Sequence, residues 1–72
     1  MIPYKNLRRI SNVESYLIGI DNIIVKFHGT SRMYVYSYRK AGMYNVEKMK
    51  QLAIRGYGLN SYINSCCKHL YD

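Results

Sequence analysis

Acids, imidazoles and thiols do most protein chemistry, and this chain holds few of them: Glu14, Asp21, Glu47, Asp72, His28, His69, Cys66 and Cys67. No two acids form a recognisable pair of the kind that general acid–base work uses. Cys67 and His69 stand two apart, and neighbours at that spacing on a helix point in different directions, so they make no nucleophile–base dyad. A bridge between the adjacent Cys66 and Cys67 would close no loop and add almost no stability. Free thiols are expected. With His69 they lack the second Cys/His pair that a tetrahedral metal site needs. Gly56-Tyr57-Gly58 lacks the third glycine and the preceding strand of a phosphate-cradling loop. The inventory points away from an enzyme, and it implies no cofactor.

Cations and tyrosines are plentiful instead. Eleven Lys and Arg against four acids give a formal charge of +7 on 72 residues, and nine residues are Tyr while only one is Phe and none is Trp. An excess of this size attracts nucleic acid, an acidic protein surface or an anionic membrane. Lys48, Gln51 and Arg55 fall on the outer side of one predicted helix, with Lys50 at its flank. Arg39 and Lys40 come just before that helix and Lys68 follows on the next, so together they could meet several phosphates. Lysines on an outer helix face are ordinary solvation too; the scarcity of acids makes these a candidate footprint. Exposed tyrosines beside cations can stack on unpaired bases or anchor a protein interface. Tyr57, between two glycines, is the expected exposed anchor, and either side of the strand that carries Tyr34 and Tyr36 can join the core.

The elements that must position these residues follow from periodicity. Met33 to Tyr38 alternates as a strand, Tyr34, Tyr36 and Tyr38 to one side and Met33, Val35 and Ser37 to the other, and its apolar character predicts a central place in a small sheet. Ile23 to His28 alternates most clearly, with Ile23, Val25 and Phe27 facing inward. Glu14 to Ile20 reads as a strand with Tyr16, Ile18 and Ile20 on one side and Leu17 on the other, followed by an Asp21-Asn22 turn that tolerates positive φ. Gly29 to Arg32 has hairpin length. After Tyr38 the period changes. Asn45 is the expected cap of a helix over Val46 to Arg55, with Val46, Met49, Leu52 and Ala53 as its apolar stripe. Gly56 suits a left-handed stop. Asn60 or Ser61 then caps a second helix with Tyr62, Ile63, Cys66 and Leu70 inward.

The predicted fold class is α+β: a three-stranded antiparallel meander followed by two short helices packed on one face, in β-β-β-α-α order. One domain spans residues 1–72, with residues 1–11 as a flexible basic lead-in in which Lys5, Arg8 and Arg9 are solvated. A chain this short buries roughly 60% of its unfolded surface and leaves little room for a deep catalytic pocket. No apolar run approaches the ~20 residues of a membrane span. The basic start lacks the apolar block of a secretory signal, so a reducing cytoplasmic setting is expected. The strand count and helix order differ from those of an RNA-recognition sheet that displays aromatics.

One family shares this order of features. Ile18-Gly19-Ile20-Asp21, Ile23-Ile24-Val25-Lys26-Phe27, Tyr34-Val35-Tyr36, Gly58-Leu59-Asn60-Ser61-Tyr62-Ile63 and Tyr71 together resemble the KTSC domain, over about Ser11 to Tyr71. That small domain is named for the C-terminal extension of some lysyl-tRNA synthetases and also stands alone in bacteria and phages. Where the family commonly has Val-Pro after its Tyr-x-Tyr, this chain has Ser37-Tyr38-Arg39-Lys40. The resemblance implies an α+β mini-domain often attached to or encoded beside nucleic-acid machinery, and it carries over no established functional residue.

The expected function is a small non-catalytic module that engages RNA, DNA or a nucleoprotein through its basic helix face. Its candidate contacts are Arg39, Lys40, Lys48, Lys50, Arg55, Tyr57 and Lys68. The alternative is a phage-encoded inhibitor that binds a host protein machine such as a CRISPR effector or RNA polymerase, in the host cytoplasm. Self-association through an exposed sheet face or strand edge is a further possibility.

Overall fold

The computed structural model describes residues 1–7, 9 and 11–72; the expected solvation of Arg8 lies outside them. Four strands, β1 (Ile2–Pro3), β2 (Val13–Ile18), β3 (Asn22–Phe27) and β4 (Met33–Ser37), precede α1 (Met43–Arg55) and α2 (Leu59–Tyr62), and α2 runs on into a π-helical turn, Ile63–Cys67. The sheet is antiparallel in the order β1-β2-β3-β4. The fold is therefore α+β, with helices after strands and one strand more than the meander expected.

Pairing register explains which face is covered. Tyr16, Val25 and Tyr34 form one cross-strand row, and Ile18, Ile23 and Tyr36 form the next. Both rows lie under the helices. Ile23 and Val25 are wholly excluded from water, as are Val46 and Met49 of α1 and Leu59 and Cys67 of the last helical stretch. The α1 stripe of Val46, Met49, Leu52 and Ala53 is buried as its spacing predicts. The opposite side of the sheet is open, and Leu17, Ile24 and Val35 make an apolar row across it. A bulge between Val13 and Ser15 adds Glu14 to β2, and its carboxylate meets Lys26 on this open side at 2.7 Å.

Several sequence expectations give way. The first residues are tied to the fold rather than trailing from it. Ile2 pairs with Tyr16 and Pro3 with Ser15. Tyr4 is buried, its backbone N–H donates to Glu14 O at 2.9 Å, and its phenol oxygen accepts from the Leu59 N–H at 3.3 Å. Pro3 tolerates this position because a two-residue edge strand demands little of its missing donor. β4 is an edge strand rather than a central one; the Asp72 N–H donating to Val35 O at 2.7 Å covers part of its outer side. Ile20 does not continue the side of Tyr16 and Ile18 but is 94% exposed, because the Gly19 N–H bond to Asn22 O already turns the chain after Ile18. Among the described residues positive φ outside glycine occurs at Asn6 and Arg9, not at Asp21 or Asn22.

Helix ends differ as well. Asn45 does not cap α1, which begins three residues before Val46: Gly42, at φ 94°, turns the chain, and its carbonyl receives the Val46 N–H at 3.0 Å. Asn45, already inside the helix, donates from Nδ2 to Ala41 O at 2.9 Å and accepts from Tyr62 Oη at 2.8 Å, so it links the start of α1 to α2. Gly56 ends α1 in the left-handed conformation as expected, at φ 90°. It is required twice over, since a Cβ there would lie 2.8 Å from Lys5 Cβ, where the N-terminal segment crosses and the Leu7 N–H donates to Gly56 O. Gly58, not Asn60 or Ser61, precedes α2.

Cys67, not Cys66, enters the core. A purely α-helical period carries 63 and 66 inward together. The π turn adds residues to the turn, so the buried positions step by four, from Leu59 to Ile63 to Cys67.

Replacing Ile23 by Ala should cost about 2–5 kcal/mol in urea unfolding, because it opens a cavity at the best-packed point of the sheet. Ile20→Ala should stay within about 0.5 kcal/mol of the parent. Equal effects at the two positions would contradict this register. A second outcome concerns alkali. Burial, with smaller contributions from Cys67, Tyr34 and Tyr71, pushes the Tyr36 phenol from its ordinary 10 up to about 12. The unfolded chain then loses this proton first, so the stability contributed by neutral Tyr36 is intact below pH 10 and is lost as pH rises toward 12. Denaturation midpoints should fall over that window, and less steeply in Tyr36→Phe.

Candidate functional site

Lys48, Gln51 and Arg55 share one outward flank of α1, at spacings of three and four residues. Arg55 lays its guanidinium 4.1 Å over the ring of Tyr57, which is half-buried beneath it rather than fully exposed. The crossing N-terminal segment brings Lys5 to the same end of the helix, beside Gly56. Tyr44, one turn before Lys48, extends the flank.

The remaining candidates do not join them. Lys50 lies roughly 200° further round the helix than Lys48. Its Nζ is held 2.8 Å from Glu47 Oε2 and 3.0 Å from Ile20 O, above the Tyr38 ring at 5.5 Å, and only 13% of its side chain meets solvent. Arg39 and Lys40 are exposed in the turn after β4, at the other end of the sheet from Arg55. Lys68 faces a groove described below.

The acids have their own address. Glu47 accepts from the Tyr38 hydroxyl, the Tyr38 N–H donates to Asp21 O, and Ser37 Oγ donates to Asp72 Oδ1 at 2.8 Å. Three of the four acids thus gather where β4 ends. Lys50 first and the Tyr38 hydroxyl second hold the Glu47 carboxyl below the usual range, and the same hydrogen bond raises the Tyr38 phenol. Glu14, on the open sheet side, is lowered chiefly by its bond to Lys26, with His28 Nδ1 3.6 Å away. Among the described residues the carboxylates pair only with Lys26, Lys50 and His28. Lys5, Lys48, Arg55, Arg32 and Lys68 keep their charge unneutralised by any acid.

A groove of about 530 Å³ runs between the β3–β4 loop and the last helical stretch. Its aromatic wall is Phe27, Tyr34, Tyr36 and Tyr71. Tyr34 and Tyr36 lie inward, packed edge to face with Tyr71 at 4.8 and 6.4 Å between ring centroids, and Phe27 stands edge to face with Tyr34 at 5.4 Å. Arg32 places its guanidinium 4.9 Å from the Tyr34 ring centre and 5.2 Å from that of Tyr71. Asn60, Ile63, Asn64 and Lys68 form the facing wall, and Asn12, His28, Thr30 and His69 close the ends. His28 and His69, far apart in sequence, both line it. Among the described residues no group of three or more His, Cys, Asp or Glu is placed to hold a metal ion, and no helix is long and apolar enough to cross a membrane.

Sequence reasoning missed this groove, although one signal for it was present. Asn60, Asn64 and Lys68 recur every four residues, beside the buried row Leu59, Ile63 and Cys67. In a regular α-helix a four-residue step drifts by about 40°, whereas a mixture of α and π turns keeps it nearly straight. The π turn therefore aligns three polar side chains along one wall. What periodicity does not disclose is the aromatic partner wall, which comes from β3, β4 and the chain's last residues.

The cysteines divide by the same geometry. Cys66 is exposed, while burial first, and then contact with Cys66, pushes the Cys67 thiol up to about 12. Iodoacetamide at neutral pH should therefore modify Cys66 alone in the folded protein, and both residues in denaturant; prompt labelling of Cys67 under native conditions would contradict the buried π-turn position. No protein-family model matches the chain, and neither a curated protein nor a solved structure is significantly similar to it.

Proposed function

We propose that the protein is a small non-catalytic module that binds RNA, DNA or a nucleoprotein. The observation carrying this reading is the imbalance of charge: among the described residues the acids pair only with Lys26, Lys50 and His28, while Lys5, Arg32, Arg39, Lys40, Lys48, Arg55 and Lys68 have no acidic partner. Unpaired cations on a surface poor in carboxylates are what a phosphate backbone seeks, and they release counterions when it docks. The footprint is narrower than a whole helix face. Lys48 and Arg55 lead it, Gln51 and Tyr57 lie within it, and Lys5 joins from the N-terminal crossing; Lys50 is occupied by its own fold. The resemblance to the KTSC domain, with its frequent company of nucleic-acid machinery, points the same way.

A second reading draws on the open side of the sheet, where Leu17 and Met33 are about half exposed on either side of Ile24 and Val35. An apolar row of this kind suits a protein partner, as in a phage-encoded inhibitor seated on a host protein machine.

Fluorescence anisotropy with labelled single strands and duplexes separates the two. The parent should bind with an affinity that falls steeply with salt, and Lys48→Glu with Arg55→Glu should abolish binding even at low salt. Replacing the same pair by Ala should flatten the salt slope by about two. Unchanged affinity in the charge-reversed protein removes the nucleic-acid reading. Loss of a specific host protein from pull-downs with Leu17→Asp, the nucleic-acid result being negative, supports the second.

A further inference from the structure

We infer that the groove between the β3–β4 loop and the last helix seats one unpaired nucleotide of a single strand, the base against the Phe27, Tyr34 and Tyr71 wall and the phosphate at Lys68. This deepens the nucleic-acid reading and rests on it.

The asparagines carry the argument. The chain has six, at 6, 12, 22, 45, 60 and 64. Three of them hold the fold together. Asn6 exchanges two hydrogen bonds with Ser11, Asn22 donates to Asp21 Oδ1, and Asn45 bridges Ala41 and Tyr62. The other three, Asn12, Asn60 and Asn64, take part through their side chains in none of the described hydrogen bonds, and all three line the groove. Each carboxamide offers both a donor and an acceptor, as the edge of a nucleobase does. A site for phosphate alone would have no use for three such groups, and a purely apolar ligand would leave them unpaired.

The other walls select in the same direction. No carboxylate lies among the lining residues and Lys68 does, which favours an anionic group in the groove. The volume falls inside the roughly 300–1,000 Å³ of small-ligand clefts, which suits one nucleotide and not a duplex. Phe27, Tyr34 and Tyr71 give one wall an aromatic surface for an unpaired base, and Arg32, beside the groove, lies against the Tyr34 and Tyr71 rings. The π turn keeps Asn60, Asn64 and Lys68 in line, so base-edge groups and a phosphate partner follow one another along a single wall. In paired nucleic acid the Watson–Crick edges are turned inward and a base cannot leave the stack to enter the groove without unpairing, so the groove discriminates in favour of single strands.

Three probes test the inference on the full chain: labelled oligouridylate, a blunt duplex of the same length, and UMP titrated by heteronuclear NMR. Asn64 and Lys68 are exposed, so Asn64→Asp with Lys68→Glu should leave the fold intact, which the circular dichroism spectrum and urea midpoint verify. The double variant should weaken oligouridylate binding at least roughly tenfold more than duplex binding, the scale of one lost stacked base and its phosphate, since the duplex loses only the general attraction of the charge removed. UMP should shift the side-chain amide signals of Asn60 and Asn64, and inorganic phosphate should not. Oligouridylate binding that survives this variant but is lost in Lys48→Glu with Arg55→Glu overturns the groove assignment and leaves the module reading standing. If the parent binds neither oligouridylate nor duplex, the module reading fails; UMP shifts at Asn60 and Asn64 then still support a nucleotide site, and their absence ends it. Shifts of the same size with inorganic phosphate overturn the base-recognition part.

Discussion

The contact between β3 and α1 is the constraint from which the rest of this small protein hangs. Ile23 and Val25 on one side and Val46 and Met49 on the other are wholly shut off from water. A chain of 72 residues has room for one such cluster, and each fully buried side chain of this size contributes about 1.5–3 kcal/mol relative to exposure. Against a net stability of roughly 5–15 kcal/mol, losing one of the four is a large fraction of the whole. β2 and β4 flank β3, the last helical stretch lies along α1 through Leu59, Ile63 and Cys67, and Tyr4 reaches back to Leu59. Both the basic flank of α1 and the groove are therefore positioned by elements that share this core, and neither stands on a free loop alone.

Polar groups divide between upkeep and recognition. Glu14, Glu47, Lys26, Lys50, Asn6 and Asn45 spend their bonding capacity inside the molecule, bracing the open sheet face, the turn before α1 and the N-terminal crossing. Lys68, Asn12, Asn60 and Asn64 do not. A small domain keeps few polar side chains idle at a concave surface unless something else satisfies them, since each unsatisfied group loses water when a ligand or partner covers it.

Much of the fold was legible in the sequence because strong periodicity coincides with burial. The alternation of Ile23, Val25 and Phe27, the stripe of Val46, Met49, Leu52 and Ala53 and the stop at Gly56 all reflect local pattern acting on one core. What escaped has physical reasons. Two residues, Ile2 and Pro3, are too few to display a period, and only the pairing partner β2 makes them a strand. The start of α1 depends on Gly42 taking a left-handed turn, which outweighs the capping preference of Asn45. Cys66 and Cys67 exchange roles because a π turn breaks the 3.6 period that sequence reading assumes. The basic footprint was legible in composition but not in placement: Lys50 lies on the same helix as Lys48, yet its side chain is drawn to Glu47 and Ile20 O. The groove was least legible, since its walls come from residues near 12, 28, 34, 60, 68 and 71, which only the tertiary fold brings together.

The N-terminal crossing has a dynamic consequence. β1 is two residues long, the element of the sheet that opens at least cost, yet the residues just after it hold the junction of the two helices through the bonds from Leu59 N–H to Tyr4 Oη and from Leu7 N–H to Gly56 O. Fraying at the start of the chain thus unclamps the very point from which Asn60 and Asn64 depart. Amide exchange at Leu7 and Leu59 would rise together, and the breathing of a surface cleft would be governed by the loosest strand of the sheet rather than by the cleft's own walls.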